Sequence, residues 1–425
     1  MRTKYALPII LCLTAVLVSG CSNTRQVMKD GKRVITFWHT HNDEETDTLK
    51  EIIKDYETKN PNIKIDYQQV PFTDAETKYQ TVAQAKNSPD VFRSEITWVA
   101  KLASLGFLVS VDNFATPDFR KDFLKAPLKY NYYDGHYWGV PDVTDCLGLM
   151  YNKRIFKEAN LPVPKTTDEL ISIGQKLTNV AQNKYAFFYR GDTYWFLPFL
   201  ASFGGGMVDE NGDILINKPE SVQAAQYLID LRLKYKIIPS LVDFANDYDN
   251  QQTGFKTGKY AMIINGPWST SDLLTGREFK DPANLGITRI PAGPKGFATP
   301  VGGHSFVISA NHETINPKDP THLKEVWKFV SFMTAAENQA KYALNNNLLP
   351  TRNSTYDLPQ VKSNRFIKDF KYVLDTGFNR PVIPRSGALF VDMKQPYQAA
   401  LLTNTPIKDA FDEIAKAWVK LLKEE

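Results

Sequence analysis

Two hydrophobic periods alternate along residues 34–92, and that alternation restricts the fold more than any other feature of the chain. Val34-Ile35-Thr36-Phe37-Trp38 is β-branched and aromatic and reads as a buried strand, whereas Leu49, Ile52, Ile53 and Tyr56 recur at i, i+3, i+4 and i+7, one face of a helix that stops before Pro61. Ile63 to Val70 is strand again, Asp74 to Ala85 is helix, and Asp90-Val91-Phe92 is strand. The order βαβαβ predicts an α/β fold whose sheet has parallel strands joined by right-handed crossovers. Such sheets bind ligands beyond the carboxyl ends of their strands, which here means the turns after Trp38 and Phe92.

The chain has 425 residues, enough for two sizeable cores. A second sheet is expected around Tyr260 to Asn265, after an amphipathic helix from Ser221 to Lys234 and before a break at Gly266-Pro267. Helical patterns then dominate from Leu323 to Leu344 and from Ile407 to Leu422. Gly204-Gly205-Gly206 reads as a turn, and there is no tandem repeat. Interruptions at Pro291 to Gly303, around Leu349-Pro350-Thr351 and near Pro141 are candidate crossings between domains.

Arg2 and Lys4 precede an apolar run from Ala6 to Val18 that is too short to span a hydrocarbon core of roughly 30 Å. It reads as a secretion signal ending in Leu17-Val18-Ser19-Gly20-Cys21, which resembles the bacterial lipobox. Cys21 would then carry the lipid at the mature N-terminus, each buried methylene adding about 0.8 kcal/mol of anchoring; the plainer alternative is a signal with a chance cysteine. Of three cysteines, Cys12 lies in the signal and Cys21 at the lipid site, so Cys146 is left without an intramolecular partner. Of 51 basic side chains, 49 remain without Arg2 and Lys4, against 47 acidic ones. No large basic field exists to attract nucleic acid, and uncharged polar partners fit better.

His39 and His41 flank Thr40 after the first strand, and with His136 and His304 they raise a metal reading. Alternate strand residues face opposite sides, so the first two share an ion only where the strand has ended. A glycosidase needs two carboxyl groups roughly 5 to 9.5 Å apart; Asp142 with Asp145, or members of Asp43-Glu44-Glu45, are the candidates. There is no Gly-x-Ser-x-Gly elbow, phosphate-binding loop or dinucleotide fingerprint. Aromatics are the positive signal, at 12% with seven tryptophans. Trp38, Trp327 and Trp418 fall on apolar stripes and are assigned to packing, whereas Trp98, Trp138, Trp195 and Trp268 lie at loops or element starts beside polar residues. Sugars require that mixture, because a pyranose stacks its C–H face on a ring while its hydroxyls take planar polar groups around the rim. Tyr194-Trp195 beside Asp192, and Trp268 beside Asn265 and Ser269, supply both kinds.

Gly139-Val140-Pro141 followed by Asp145, then Leu149-Met150-Tyr151-Asn152-Lys153, resembles the first crossing between lobes in bacterial extracellular solute-binding proteins of the maltose/maltodextrin type. Asn265-Gly266-Pro267-Trp268 is similar to that family's second-lobe motif, and Pro381-Val382-Ile383-Pro384 to its stretch before another ligand aromatic. With Gly135-His136-Tyr137-Trp138 and the lipobox, the resemblance spans nearly the whole mature chain. It implies a two-lobed periplasmic-binding-protein-like (type II) fold, closing about a hinge over a sugar held in the interlobe cleft. The implied layout is a signal at 1–20, a tether at 21–33, lobe I from 34–143 plus 301–350, and lobe II from 144–300 plus 351–425.

By the same resemblance, Asp145 is the acidic hinge position, Asp192 and Tyr194 are the acidic and aromatic pair of the second lobe, Trp268 stacks on the sugar, and Phe390 stands where a tryptophan is usual. Asn42 and Asp43 fall where first-lobe polar contacts are made. The chain departs from the enteric-type pattern at Ser94, where a stacking ring is missing; Trp98 is expected to replace the ring, and Arg93 or Glu95 the missing acid. A second tryptophan expected after Trp268 is Thr270. The function implied is a monomeric receptor without cofactor, anchored through Cys21 on the outward face of the membrane, that hands an oligosaccharide to the permease subunits of an ABC importer. A secreted glycoside hydrolase, or a receptor for another linkage, is the alternative.

Overall fold

The computed structural model describes residues 28–209, 211–239, 243–403 and 405–423. Cys21 and the segments read as signal and tether up to residue 27 lie outside the described residues. The β-branched run becomes the strand Lys32–His39, and the helix after it, Asp43–Lys59, starts with a reciprocal cap. Asn42 Oδ1 accepts from the Glu45 N–H at 2.8 Å, and the Glu45 carboxylate accepts from the Asn42 N–H at 3.2 Å. Leu49, Ile52, Ile53 and Tyr56 are buried, as their spacing requires.

Three strands of the first sheet are parallel: Lys32–His39 lies between Ile63–Gln69 and Val91–Glu95. The sheet is not parallel throughout. The late strand Thr299–Ile308 inserts antiparallel between Val91–Glu95 and Gly139–Cys146. Such a long-range insertion leaves no trace in the local period. The second sheet runs in the order Leu285–Thr288, Gly148–Asn152, Tyr260–Asn265, Tyr185–Phe188, with only the last pair parallel. One apolar core forms where the helices Asp43–Lys59 and Pro320–Met333 meet the first sheet. The largest core packs the helices Thr193–Ser202, Pro219–Leu233, Ser386–Leu402 and Ile407–Lys423 on the second. The helical pattern from Leu323 to Leu344 is two helices, Pro320–Met333 and Ala336–Asn346. They break at Thr334, whose hydroxyl turns back to the Val330 carbonyl at 3.0 Å.

Three segments join the two sheets side by side. Gly139–Cys146 and Gly148–Asn152 are separated by Leu147 alone. Leu147 is tied to Thr299 twice, its N–H donating to Thr299 Oγ1 at 2.9 Å and that hydroxyl donating to the Leu147 carbonyl at 2.8 Å. Gly377–Phe378 pairs in parallel with Thr299 and Pro300. Thus three strands cross at one place, each hydrogen-bonded to the next.

Candidate functional site

At the end of Val91–Glu95 the Glu95 carboxylate is buried, and one oxygen accepts both the N–H of Thr97, at 2.7 Å, and its hydroxyl. The other oxygen receives Arg380 Nη2 at 2.6 Å, from the crossing segment that follows Gly377–Phe378. Arg380 gathers the candidate residues. Its guanidinium lies 5.2 Å from the Tyr194 ring centre and 5.9 Å from that of Phe390, and its N–H donates to the Tyr130 hydroxyl at 2.6 Å. The Tyr194 hydroxyl donates to Asp145 Oδ1 at 3.1 Å. Burial pushes the Asp145 carboxyl up to about 7, against the opposing pull of Arg380. The close approach depends on Gly302, because a Cβ there would stand 2.1 Å from Asp145 Oδ1 and 2.6 Å from the Tyr194 hydroxyl.

Trp268 occupies a single turn, Pro267–Ser269, directly after the strand Tyr260–Asn265. Its ring folds over Gly266, where a Cβ would meet Cζ3 at 1.9 Å, and sets its edge to Trp195 at 6.3 Å and 87°. Half-buried, it packs against the cores of both sheets. Asn265 is held by Gln251 and Gln252 at 3.2 and 3.0 Å, which fixes the strand end that carries the ring.

Other residues singled out from the sequence are engaged in holding the fold. The Asn42 side chain is occupied by its helix cap, and Asp43 accepts from Gln69 Nε2 at 3.1 Å. Asp192 caps the helix Thr193–Ser202 through the Tyr194 N–H at 2.9 Å. Trp195 is buried, donates Nε1 to the Ile264 carbonyl at 2.7 Å and is covered by Arg190 at 4.0 Å. Trp98 is partly buried and stacks with Phe72 at 5.3 Å and with Phe92 at 6.3 Å. Arg93 is 2% exposed and donates Nε to Asp142 Oδ2 at 2.7 Å and Nη1 to Thr40 Oγ1 at 3.2 Å. Asp142 is fully buried, out of reach of a glycosidic bond. Cys146 is buried against the Phe370 carbonyl.

The metal reading required a third ligand to converge with His39 and His41. Their rings are 5.3 Å apart, and among the described residues no group of three or more His, Cys, Asp or Glu is placed to share an ion. Burial, reinforced by the Arg93 charge, lowers the His39 pKa to about 3 and holds His41 and His304 well below the usual range. All three rings are neutral.

A family profile described as "Bacterial extracellular solute-binding protein" matches residues 42–340, which carry the second sheet, most of the first and all but the last crossing. The chain belongs to this family. Among solute-binding proteins of known structure, the GacH receptor of Streptomyces glaucescens, solved unliganded and with acarbose, is 33% identical with a TM-score of 0.84, over 92% of this chain and 98% of that one. The maltotriose-binding protein of Pyrococcus abyssi is 26% identical over 368 residues, 85% of this chain and 76% of its own. The maltooligosaccharide ABC transporter solute-binding lipoprotein of Streptococcus pneumoniae is 28% identical over 348 residues, covering 76% and 74%. In a solute-binding protein of this two-lobed architecture the three adjacent crossings are the hinge, and Glu95, Arg380, Asp145 and Tyr194 are gathered at it. Arg380 escaped the sequence reading although it immediately precedes Pro381-Val382-Ile383-Pro384. An arginine there, ahead of a rigid proline pair, was the available signal.

Proposed function

We propose that this chain is the sugar receptor of an ABC importer, binding a maltose- or maltodextrin-type oligosaccharide reversibly in the cleft between its lobes and handing it to the permease. The observation that carries this reading is the juxtaposition at the crossing: a half-buried tryptophan packed against both cores, with Asp145, Tyr194, Glu95 and Arg380 as planar polar groups nearby. A neutral sugar uses those two kinds of surface together. The names of the relatives, maltotriose-binding in one case and maltooligosaccharide-binding in another, support the same class of ligand. The lobes are taken as 34–143 with 301–350 and 144–300 with 351–425. Trp268 is the second-lobe platform, and Asp145, Asp192, Tyr194 and Phe390 complete that side, with Asp43 and Glu95 on the other, where Arg93, buried in its pair with Asp142, supports the site without touching sugar.

Closure is a population shift: sugar favours the closed form because only there does it touch both lobes. Nothing is cleaved. A lipid on Cys21 holds the monomeric receptor on the outward face of the membrane, where tethering raises its effective concentration near the permease. Incubation of the purified protein with maltotriose tests the reading. Saturable change in tryptophan fluorescence with intact sugar is the expected result, and catalytic release of shorter sugars would overturn it.

A further inference from the structure

Phe72 opens the helix Phe72–Gln84, at the carboxyl end of the strand Ile63–Gln69, and half of its surface is exposed. One face rests on Trp98 at 5.3 Å and 24°, and its edge meets His304 at 5.9 Å and 71°. His304 pairs in register with Glu95, whose carboxylate reaches Arg380, so this ring continues the line of groups at the hinge. The same helix faces the second lobe. Glu76, one turn after Phe72, lies 3.9 Å from where a Cβ on Gly387 would stand, and Gly387 is three residues before Phe390.

Exposed aromatics occur singly on any surface, and what marks this one is its place at a strand's carboxyl edge beside the second lobe. Trp98 is partly buried and stacks with both Phe72 and Phe92. Phe72 is the outermost ring of that stack. Beside it His304 Nε2 is buried without a hydrogen-bond partner, on an imidazole that burial and the Arg93 charge keep neutral. That nitrogen is enclosed, so the open face is that of Phe72 alone, a planar apolar surface of the kind a pyranose ring covers with its C–H side.

Resting on the sugar-receptor reading above, we propose that Phe72 is the first-lobe stacking platform for a pyranose unit of the oligosaccharide, supplying the ring missing at Ser94, with Trp98 as its support. Ser94 itself is fully buried and donates to the Glu95 carbonyl at 2.9 Å, so no contact with ligand comes from that position.

Calorimetric titration of maltotriose into the parent, Phe72→Ala, Phe72→Leu and Phe72→Tyr tests this. The Ala and Leu variants are expected to bind about 10-fold or more weakly, the range for loss of a stacking platform, and Tyr to restore near-parental affinity. Leu keeps apolar bulk without the flat face, so its failure separates stacking from packing. The sugar-free melting temperatures should remain within about 2 °C of the parent, because half the side chain faces solvent. Parental affinity in Phe72→Leu would overturn the assignment while leaving the receptor reading in place. If neither the parent nor any variant binds maltotriose or longer maltodextrins, the receptor reading fails and this assignment fails with it.

Discussion

Asp145 should make the protein less stable as pH rises from about 4 towards neutrality, and Asp145→Asn should remove that dependence. In the folded chain the Asp145 carboxyl titrates near 7 because burial disfavours its charge. In the unfolded chain it titrates near 3.9. Between those values the folded state keeps a proton that the unfolded state has released, so stability declines as pH climbs through that window and is level above it. Each pH unit is worth about 1.36 kcal/mol, so a window of about three units sets a ceiling of about 4 kcal/mol. Asn keeps an oxygen to accept the Tyr194 hydroxyl, now 3.1 Å from Asp145 Oδ1, and carries no charge to bury. Urea unfolding of both proteins at pH 4.5 and pH 8 measures the difference, and the other carboxylates cancel in the comparison. The Asn variant should match the parent to within about 1 kcal/mol at the lower pH and exceed it by about 2–4 kcal/mol at the higher. A difference independent of pH would show that Asp145 is charged throughout and that its burial is compensated.

Trp268→Ala should weaken maltotriose binding by about 1–3 kcal/mol in calorimetric titration, the range for loss of an aromatic platform, and an unchanged affinity returns the ring to a packing role. Gly302→Ala places a methyl 2.1 Å from Asp145 Oδ1, so it should cost about 1–3 kcal/mol in urea unfolding; the overpacking argument fails if stability is unaltered. Arg380→Met leaves the Glu95 carboxylate buried without its cation, and breaking such a pair costs about 3–5 kcal/mol. The lower end is expected, because both bonds from Thr97 survive, and a loss under about 1 kcal/mol in the same assay would refute the pairing.

The parts of the fold written in local periodicity were legible, and the parts made by distant pairing were not. Leu49, Ile52, Ile53 and Tyr56 announced their helix, and Tyr260–Asn265 its strand, because a single buried face imposes its own spacing. Nothing within Thr299–Ile308 says that it inserts between two strands formed far earlier in the chain, so the sheet read as parallel is mixed. In the site the sequence named Asp145, Tyr194 and Phe390 without Arg380, the group around which they assemble. An arginine on a loop is ordinarily solvated. Only the three-strand crossing buries this one and hands it the Glu95 carboxylate. Asn42 and Trp98, picked out by polarity and aromaticity, also serve the fold, one in a helix cap and the other in a stack with Phe72 and Phe92.

Phe72 was hidden for a different reason, which its counterpart in the other sheet makes plain. Pro71-Phe72 ends the strand Ile63–Gln69 just as Pro267-Trp268 ends Tyr260–Asn265. Proline cannot donate to the ladder, so each ends its strand, Pro71 as the residue before the helix that Phe72 opens and Pro267 as the first residue of its own turn. The residue that follows is carried at the strand's carboxyl edge, beyond the last ladder bond, where open α/β sheets hold their ligands. Trp268 drew attention because tryptophan is rare, with seven in the chain, whereas Phe72 is one of 25 phenylalanines and lay within the margin of an expected helix. Residue type ranked these two positions differently, although each ring follows a proline at the carboxyl edge of a strand. The Phe72 and Trp268 variants should therefore weaken sugar binding to a similar extent. A large loss from Trp268→Ala beside none from Phe72→Ala would mean that the shared strand-to-helix break is architectural in the first sheet and functional only in the second.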